Sequence, residues 1–419
     1  MPSATRASHL VTTLALNVAA VESYLHGEGH PELSIEDDVP HYLQSNPAFI
    51  QPRDTIIQAC RELLVMVQGA YSTITSQRAA EFANTAAVCH FDIASSFPEG
   101  QESATFDELA QNCKLPEPDV RRIVRGCIPN YIFQEKNVGE VSHTAASKAL
   151  AKCNLLREHV EMMCGEILPG ALKYTDAMEK WPGSEEPNQA GFNIANNTQH
   201  PAFEHMAKNG RLERFTNSMK VASMSPANSP IWLVEHYPWH CLDSGTLVDV
   251  GGSSGAYSIP IAEHYPEMKC IIQDLPNVVH RAEKEVPDNL RDRVTFMPHD
   301  FFTEQPVKSA DVYLLRWVLH DWSDKYAIRI IRNLIPALAK HSKIVVQEFV
   351  LPEPGKIPTL EDRNLRNYDI CMRGLSNGKE RETKDWESLF ARADPRFRIV
   401  GIVKPQGSAL SIVEIAWEA

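Results

Sequence analysis

The sequence predicts an α/β protein: a mostly parallel sheet of seven strands covered by helices on both faces, preceded by a mainly helical region. Three observations predict it. Short apolar runs rich in β-branched residues recur from residue 246 onward, at 246–250, 269–273, 294–297, 311–317, 344–348, 398–403 and 410–416. Most are separated by helix-like stretches such as 325–339 and 384–392, the alternation that builds a parallel sheet. Only Pro405-Gln406-Gly407-Ser408 joins the last two runs, so the final strand has room for a tight turn alone and must run antiparallel.

At 419 residues and 43% hydrophobic composition, the chain has length for two or three domains. The boundaries expected are 1–150, 151–240 and 241–419. A formal net charge of -13 repels phosphate backbones and anionic lipid, which disfavours nucleic acid and membrane partners. Nine cysteines without a C-x-x-C pair fit a reducing compartment, so a cytoplasmic location is expected. No run approaches the ~20 apolar residues that span a bilayer, and the stretch from His9 to Leu25 reads as an amphipathic helix.

Residues 55–70 carry Ile56, Ile57, Leu63, Leu64 and Val67 near a 3.6 period, and predict a helix; residues 27–53, rich in proline and acids, predict an extended connector. Thr105 and Glu108 form a capping box that opens a short helix over 106–113. Leu115-Pro116-Glu117-Pro118 turns the chain into a second helix over 119–127, and two extended segments at 131–135 and 141–144 complete a winged-helix-like unit. Its second helix carries Arg121, Arg122 and Arg125, which leaves a DNA-binding regulator as one reading. Residues 147–240 read as helices with irregular loops that close over a pocket, with Met162, Met163, Phe192, Phe203, Met206, Trp239 and Met372 as candidate apolar walls.

The chemistry gathers at the sheet. Asp249-Val250-Gly251-Gly252-Ser253-Ser254-Gly255 places a glycine loop between the first strand and a helix, where backbone amides meet a ligand. Asp274 ends the next strand, about twenty residues on, placed to accept from ribose hydroxyls. A dinucleotide loop would need glycine at Ser253 and Ala256; their absence points to an adenosine ligand lacking pyrophosphate.

From about residue 50 onward the chain resembles the plant and fungal small-molecule O-methyltransferases, of the caffeate and sterigmatocystin O-methyltransferase kind. The segments that carry the resemblance are 247–255, Gln273-Asp274-Leu275-Pro276, His299-Asp300-Phe301-Phe302, 315–324 around Arg316 and His320, and Asn377-Gly378-Lys379-Glu380-Arg381. The resemblance implies a class I methyltransferase (Rossmann-like) domain behind a winged-helix-like dimerisation domain, hence a homodimer. It implies S-adenosylmethionine as cofactor, with Gly251 and Gly252 under its methionyl part, Asp274 on the ribose with Leu275 beside it, Asp300 and Phe301 framing the adenine, and Arg316 as a basic residue nearby.

Methyl transfer from a sulfonium is an in-line displacement that needs the acceptor's proton removed and no metal. His320 follows the strand 311–317 at the same sheet edge as the glycine loop, which makes it the candidate general base. In the resemblance two glutamates flank the base; Glu348 at a strand end and Glu380 in its loop occupy those contexts and are expected to orient the imidazole. Asp321 and Ser323 are expected to cap the helix that starts near Lys325. The expected activity is methylation of a phenolic or enolic hydroxyl of a small secondary metabolite. A pericyclase or dehydratase on the same fold stays open as an alternative.

Overall fold

The computed structural model describes residues 5–75, 79–242 and 244–418. The chain divides into two compact units, one comprising residues 1–165 with 358–360 and the other 166–357 with 361–419. The helices of 166–240 thus belong to the same unit as the sheet.

In the first unit, the helices Arg6–Gly27 and Pro47–Thr75 pair lengthwise. The second begins eight residues before the expected Thr55, which shortens the connector, and a further short helix, His41–Gln44, occupies part of what remains. Pro47 opens the helix without losing a needed N–H, while Pro52 stands inside it, where its missing N–H forfeits one main-chain hydrogen bond that the packing against Arg6–Gly27 outweighs. Near its far end the helix kinks at Gly69, whose φ of 74° lies outside the helical range.

The winged unit follows. Strands β1 (Ser103–Thr105), β2 (Phe133–Asn137) and β3 (Glu140–His143) form a sheet in the order β1-β3-β2. The helix Phe106–Cys113 carries the expected capping box: Thr105 Oγ1 accepts from the Glu108 amide and Glu108 Oε2 accepts from the Thr105 amide, at 3.3 and 2.7 Å. On the helix Glu117–Cys127, Arg125 is paired with Glu135 at 2.6 Å and Arg121 with Glu117, while both guanidiniums lie over the Phe106 ring at 5.1 and 4.7 Å. Two of the three arginines offered for DNA are thus spent within the unit.

The second unit is built on strands β4 (Thr246–Val250), β5 (Lys269–Asp274), β6 (Val294–Pro298), β7 (Val312–Arg316), β8 (Lys343–Glu348), β11 (Phe397–Val403) and β12 (Ser411–Trp417). A small parallel pair, β9 (Val350–Leu351) and β10 (Arg381–Glu382), stands apart. The seven strands run in the order β11-β12-β8-β7-β4-β5-β6, and β12 is antiparallel to both of its neighbours, as the short final connection requires. Alternation along each strand fills two apolar layers. Val248, Val250, Tyr313 and Leu315 pack with the helices Asp324–Leu334 and Thr383–Ala393, whereas Leu247, Val312 and Leu314 pack with Ile261, Leu233 and Trp239 on the opposite face. Trp239 is therefore a core residue, fully buried and donating to the Leu233 carbonyl at 2.9 Å, and not a pocket wall. Burying a side chain of Leu or Ile in such a layer stabilises by about 1.5–3 kcal/mol.

The order of the strands positions the site. Chain order reverses between β4 and β7, and at such a switch point the connections leave in opposite directions, opening a crevice at the carboxyl edge. Among the described residues, no helix is long and apolar enough to cross a membrane.

Candidate active site

The loop after β4 is shaped by its own backbone. Gly251 and Gly255 have φ of 77° and 74°, and the amides of Gly251 and Gly252 both donate to the Gln273 carbonyl, at 2.8 and 2.9 Å. A Cβ on Gly252 would sit 2.5 Å from Asp249 Cγ, so that glycine is demanded by packing under the loop. Ser253 has φ of 52°, a left-handed conformation that disfavours a side chain and that glycine would adopt more readily. Beneath the loop, the Ser258 hydroxyl donates to Asp249 Oδ2 at 2.5 Å, and burial pushes the Asp249 carboxyl up to about 6.

Asp274 ties the loop to β5. Its Oδ2 accepts from the Ser253 amide at 2.9 Å and its Oδ1 from the Leu275 amide at 2.7 Å, so each oxygen keeps a lone pair for a further donor. Burial raises its pKa, and the two amides pull against that rise. Leu275 beside it is 41% exposed, an apolar side chain at the rim. After β6, Asp300 is exposed and accepts from the Phe302 amide at 2.9 Å, while the edge of the Phe301 ring comes 3.6 Å from where a Cβ on Gly251 would be. The structure thus gathers Gly251, Gly252, Asp274, Leu275, Asp300 and Phe301 around the ends of β4, β5 and β6.

Arg316 ends β7, with its guanidinium 3.8 Å from the Tyr257 ring centroid and 3.5 Å from that of Trp317. It donates to the Tyr257 hydroxyl, which in turn donates to the Asn228 carbonyl at 2.5 Å. Burial lowers the Arg316 pKa to about 10, so it remains a cation at neutral pH.

His320 lies in the 3-10 turn Leu319–Asp321 just past β7, 8% exposed. Its Nδ1 is 2.7 Å from Glu380 Oε1. With Nδ1–H donating to that carboxylate, the neutral ring presents the Nε2 lone pair as its base. Burial pulls the imidazole pKa down, but the carboxylates of Glu380, Asp321 and Glu348 outweigh it and push it up to about 9.

The two glutamates do different things. Glu348, at the end of β8, does not touch the ring: its Oε1 accepts from the amides of Val318, Leu319 and His320 at 3.0, 2.7 and 3.3 Å. The expectation that both acids orient the imidazole is corrected on this point, because β8 runs parallel beside β7 and delivers the carboxylate beneath the turn. Burial raises Glu348 to about 7. The capping expectation is corrected too. Ser323 occupies the N-cap position, but its hydroxyl donates to the Glu185 carbonyl at 2.8 Å, and Asp321 lies with Oδ1 3.7 Å from His320 Nε2, pushed up to about 6 by burial. The carboxylate beside the base nitrogen is the residue that sequence reasoning missed; the signal available was only its adjacency to His320.

Arg316 Nε, Trp317 Nε1, Glu348 Oε2 and Glu380 Oε2 are buried with no hydrogen-bond partner. Such atoms are rare in folded proteins, and their convergence at one sheet edge fits a polar ligand. Sheet order, antiparallel final strand, glycine loop and strand-end acid together define the class I methyltransferase fold.

Comparison with known proteins agrees. A family model described as an O-methyltransferase domain matches residues 202–395. The chain is 36% identical to "O-methyltransferase kk1A" of Curvularia clavata, across 100% of this chain and 99% of that one. It is 37% identical to the "Grayanic acid biosynthesis cluster O-methyltransferase" of Cladonia grayi, across 98% of this chain and 87% of the other. Among solved structures, OxaC in complex with SAH and oxaline matches with a TM-score of 0.76 at 22% identity, covering 97% of this chain and 100% of that one. A structure described as a pericyclic reaction enzyme matches with a TM-score of 0.74 at 22% identity, covering 97% and 100%. The chain belongs to the O-methyltransferase family.

Proposed function

We propose that this protein transfers a methyl group from S-adenosylmethionine to a phenolic or enolic hydroxyl of a small secondary metabolite, with His320 as general base. One observation carries the reading: a buried imidazole held by Glu380 through Nδ1 at 2.7 Å, in the turn that follows the strand beside the one that bears the glycine loop. When bound, the cofactor supplies an electrophilic methyl group on a sulfonium.

The residues suited to hold it are Gly251 and Gly252, whose amides are taken by the Gln273 carbonyl and which serve by their lack of side chains, Asp274 with its spare lone pairs for vicinal hydroxyls, and Asp300, Phe301 and Leu275 at the adenine end. The partnerless Nε of Arg316 adds a buried donor for an anionic group. His320 Nε2 takes the acceptor's proton as its oxygen attacks, and Glu380 stabilises the imidazolium that forms. Glu348 contributes through the turn it fixes and the negative potential it adds.

His320→Gln tests the reading: turnover is expected to stop while binding of S-adenosylmethionine, measured calorimetrically, persists. Retained methyl transfer in that variant would sink it. Product mass separates the alternative chemistry, since a pericyclase or dehydratase leaves the cofactor's methyl in place. Homodimer formation is part of the proposal. Support comes from the apolar Leu64, Val67, Tyr71 and Ile74 of the first unit, exposed at 58, 78, 81 and 74%, and light scattering in solution tests it. We further infer a cytoplasmic location from the free thiols, which fractionation would check.

A further inference from the structure

We propose that Arg381, which touches neither the ring nor the cofactor loop, is a positioning residue that aims His320 by clamping the main chain of its turn. The proposal rests on His320 being the base.

Arg381 is fully buried, yet nearly all of its donors are spent on one short segment. One terminal nitrogen donates to the Leu319 carbonyl at 2.8 Å and the other to the Trp322 carbonyl at 2.9 Å, while Nε donates to Asp324 Oδ1 at 3.1 Å. The same stretch of chain completes the hold. Ser376 Oγ donates to the Asp321 carbonyl at 2.6 Å and the Lys379 amide to the His320 carbonyl at 2.9 Å. Every carbonyl from 319 to 322 therefore meets a donor from residues 376–381, and the amides of 318 to 320 meet Glu348 from the other side. Gly378 allows this approach, since a Cβ there would lie 2.4 Å from the His320 carbonyl oxygen.

The consequence concerns the dyad. Arg381 directly follows Glu380, and β10, which begins with it, pairs with β9 just after Glu348. One guanidinium thus fixes the backbone bearing the imidazole relative to the backbone bearing its carboxylate partner. An ammonium would not substitute: two carbonyls three residues apart and a carboxylate need the planar fork of five donors. Burying a cation is costly unless its interactions are well satisfied, and here its satisfaction is concentrated on the turn that carries the base.

Arg381→Lys is the test, with His320→Gln and the double variant in parallel. We expect kcat to fall about 10- to 100-fold, the scale of misplacing a reacting group by up to about 1 Å, with the Kd for S-adenosylmethionine unchanged. The acid limb of the kcat/KM profile should move to lower pH as the imidazole slips from Glu380 toward its ordinary value. In the His320→Gln background, Arg381→Lys should leave the residual rate unchanged. A variant that loses thermal stability but keeps kcat and its acid limb would overturn the positioning role. If His320→Gln itself turns over normally, the base assignment fails instead, and the two failures are told apart. Should Arg381→Lys not fold, Ser376→Ala removes a single donor from the same clamp and is read identically: an unmoved kcat and acid limb reject the proposal.

Discussion

The loop after β4 and the turn after β7 leave adjacent parallel strands at one sheet edge, yet they are held by different means. The loop is shaped by local main chain: its amides reach the Gln273 carbonyl, its glycines avoid Asp249 and Ile272, and Asp274 closes it. The turn is held by buried charge brought from far along the chain, Glu348 on its amides and Arg381 on its carbonyls. A ligand that must be approached by backbone requires freedom from side chains, whereas a side chain that must be aimed requires anchors on the peptide units around it.

Substitutions on the two sides should break differently. His320→Gln is expected to have the largest effect, a loss in kcat of about 10²- to 10⁴-fold, the usual contribution of a positioned base; rapid-quench assays of methyl transfer measure it, and cofactor affinity should not change. Glu380→Gln should lose less, about 10- to 100-fold, because the ring stays in place but the imidazolium loses its counter-charge. Glu348→Gln separates the functions of the two acids: it replaces the carboxylate oxygen that receives three amides with a weaker, neutral acceptor, so thermal unfolding should register a loss of about 1–3 kcal/mol. On the loop side, Gly252→Ala should weaken cofactor binding, with an overpacking cost of about 1–3 kcal/mol in stability.

The smallest intervention is pH. The His320 pKa is raised to about 9, so the ring of the free enzyme is protonated below that value and becomes a base as pH rises through it. kcat/KM should therefore climb from neutral pH toward about 9, and in Glu380→Gln the rise should come earlier, because the foremost raising influence has been removed. A profile that levels off near the ordinary imidazole value of ~6.5 would show that the carboxylates do not act on the ring as their distances imply.

Much of the sheet was legible because strand signals are local. The runs at 246–250, 269–273 and 344–348 are strands to within one residue, and the tight Pro405–Ser408 connection dictated the antiparallel β12. The glycine loop and Asp274 were legible for the same reason, lying within a single strand-loop-helix-strand stretch. What was not legible depends on distance along the chain. Nothing near Glu348 says that it lies beneath a turn and not against the ring; that follows from β8 lying beside β7. Asp321 read as a helix cap because a strand-end acid before a helix usually is one, and the buried imidazole that repurposes it is fixed from residue 380. The helix starting at Pro47 was hidden by Pro52, because a proline inside a helix forfeits a main-chain hydrogen bond and reads locally as a break.

The separation of anchors along the chain also bears on the order of assembly. The loop closes on contacts about twenty residues apart, while the turn waits for partners 28 to 30 residues away on β8 and 59 to 62 residues away at Glu380 and Arg381. Each doubling of such a span adds only about 0.6 kcal/mol of closure entropy, but pairings remote in sequence form slowly. During refolding, donor binding should therefore reappear before turnover, leaving a transient species that holds its nucleoside with an unaimed base.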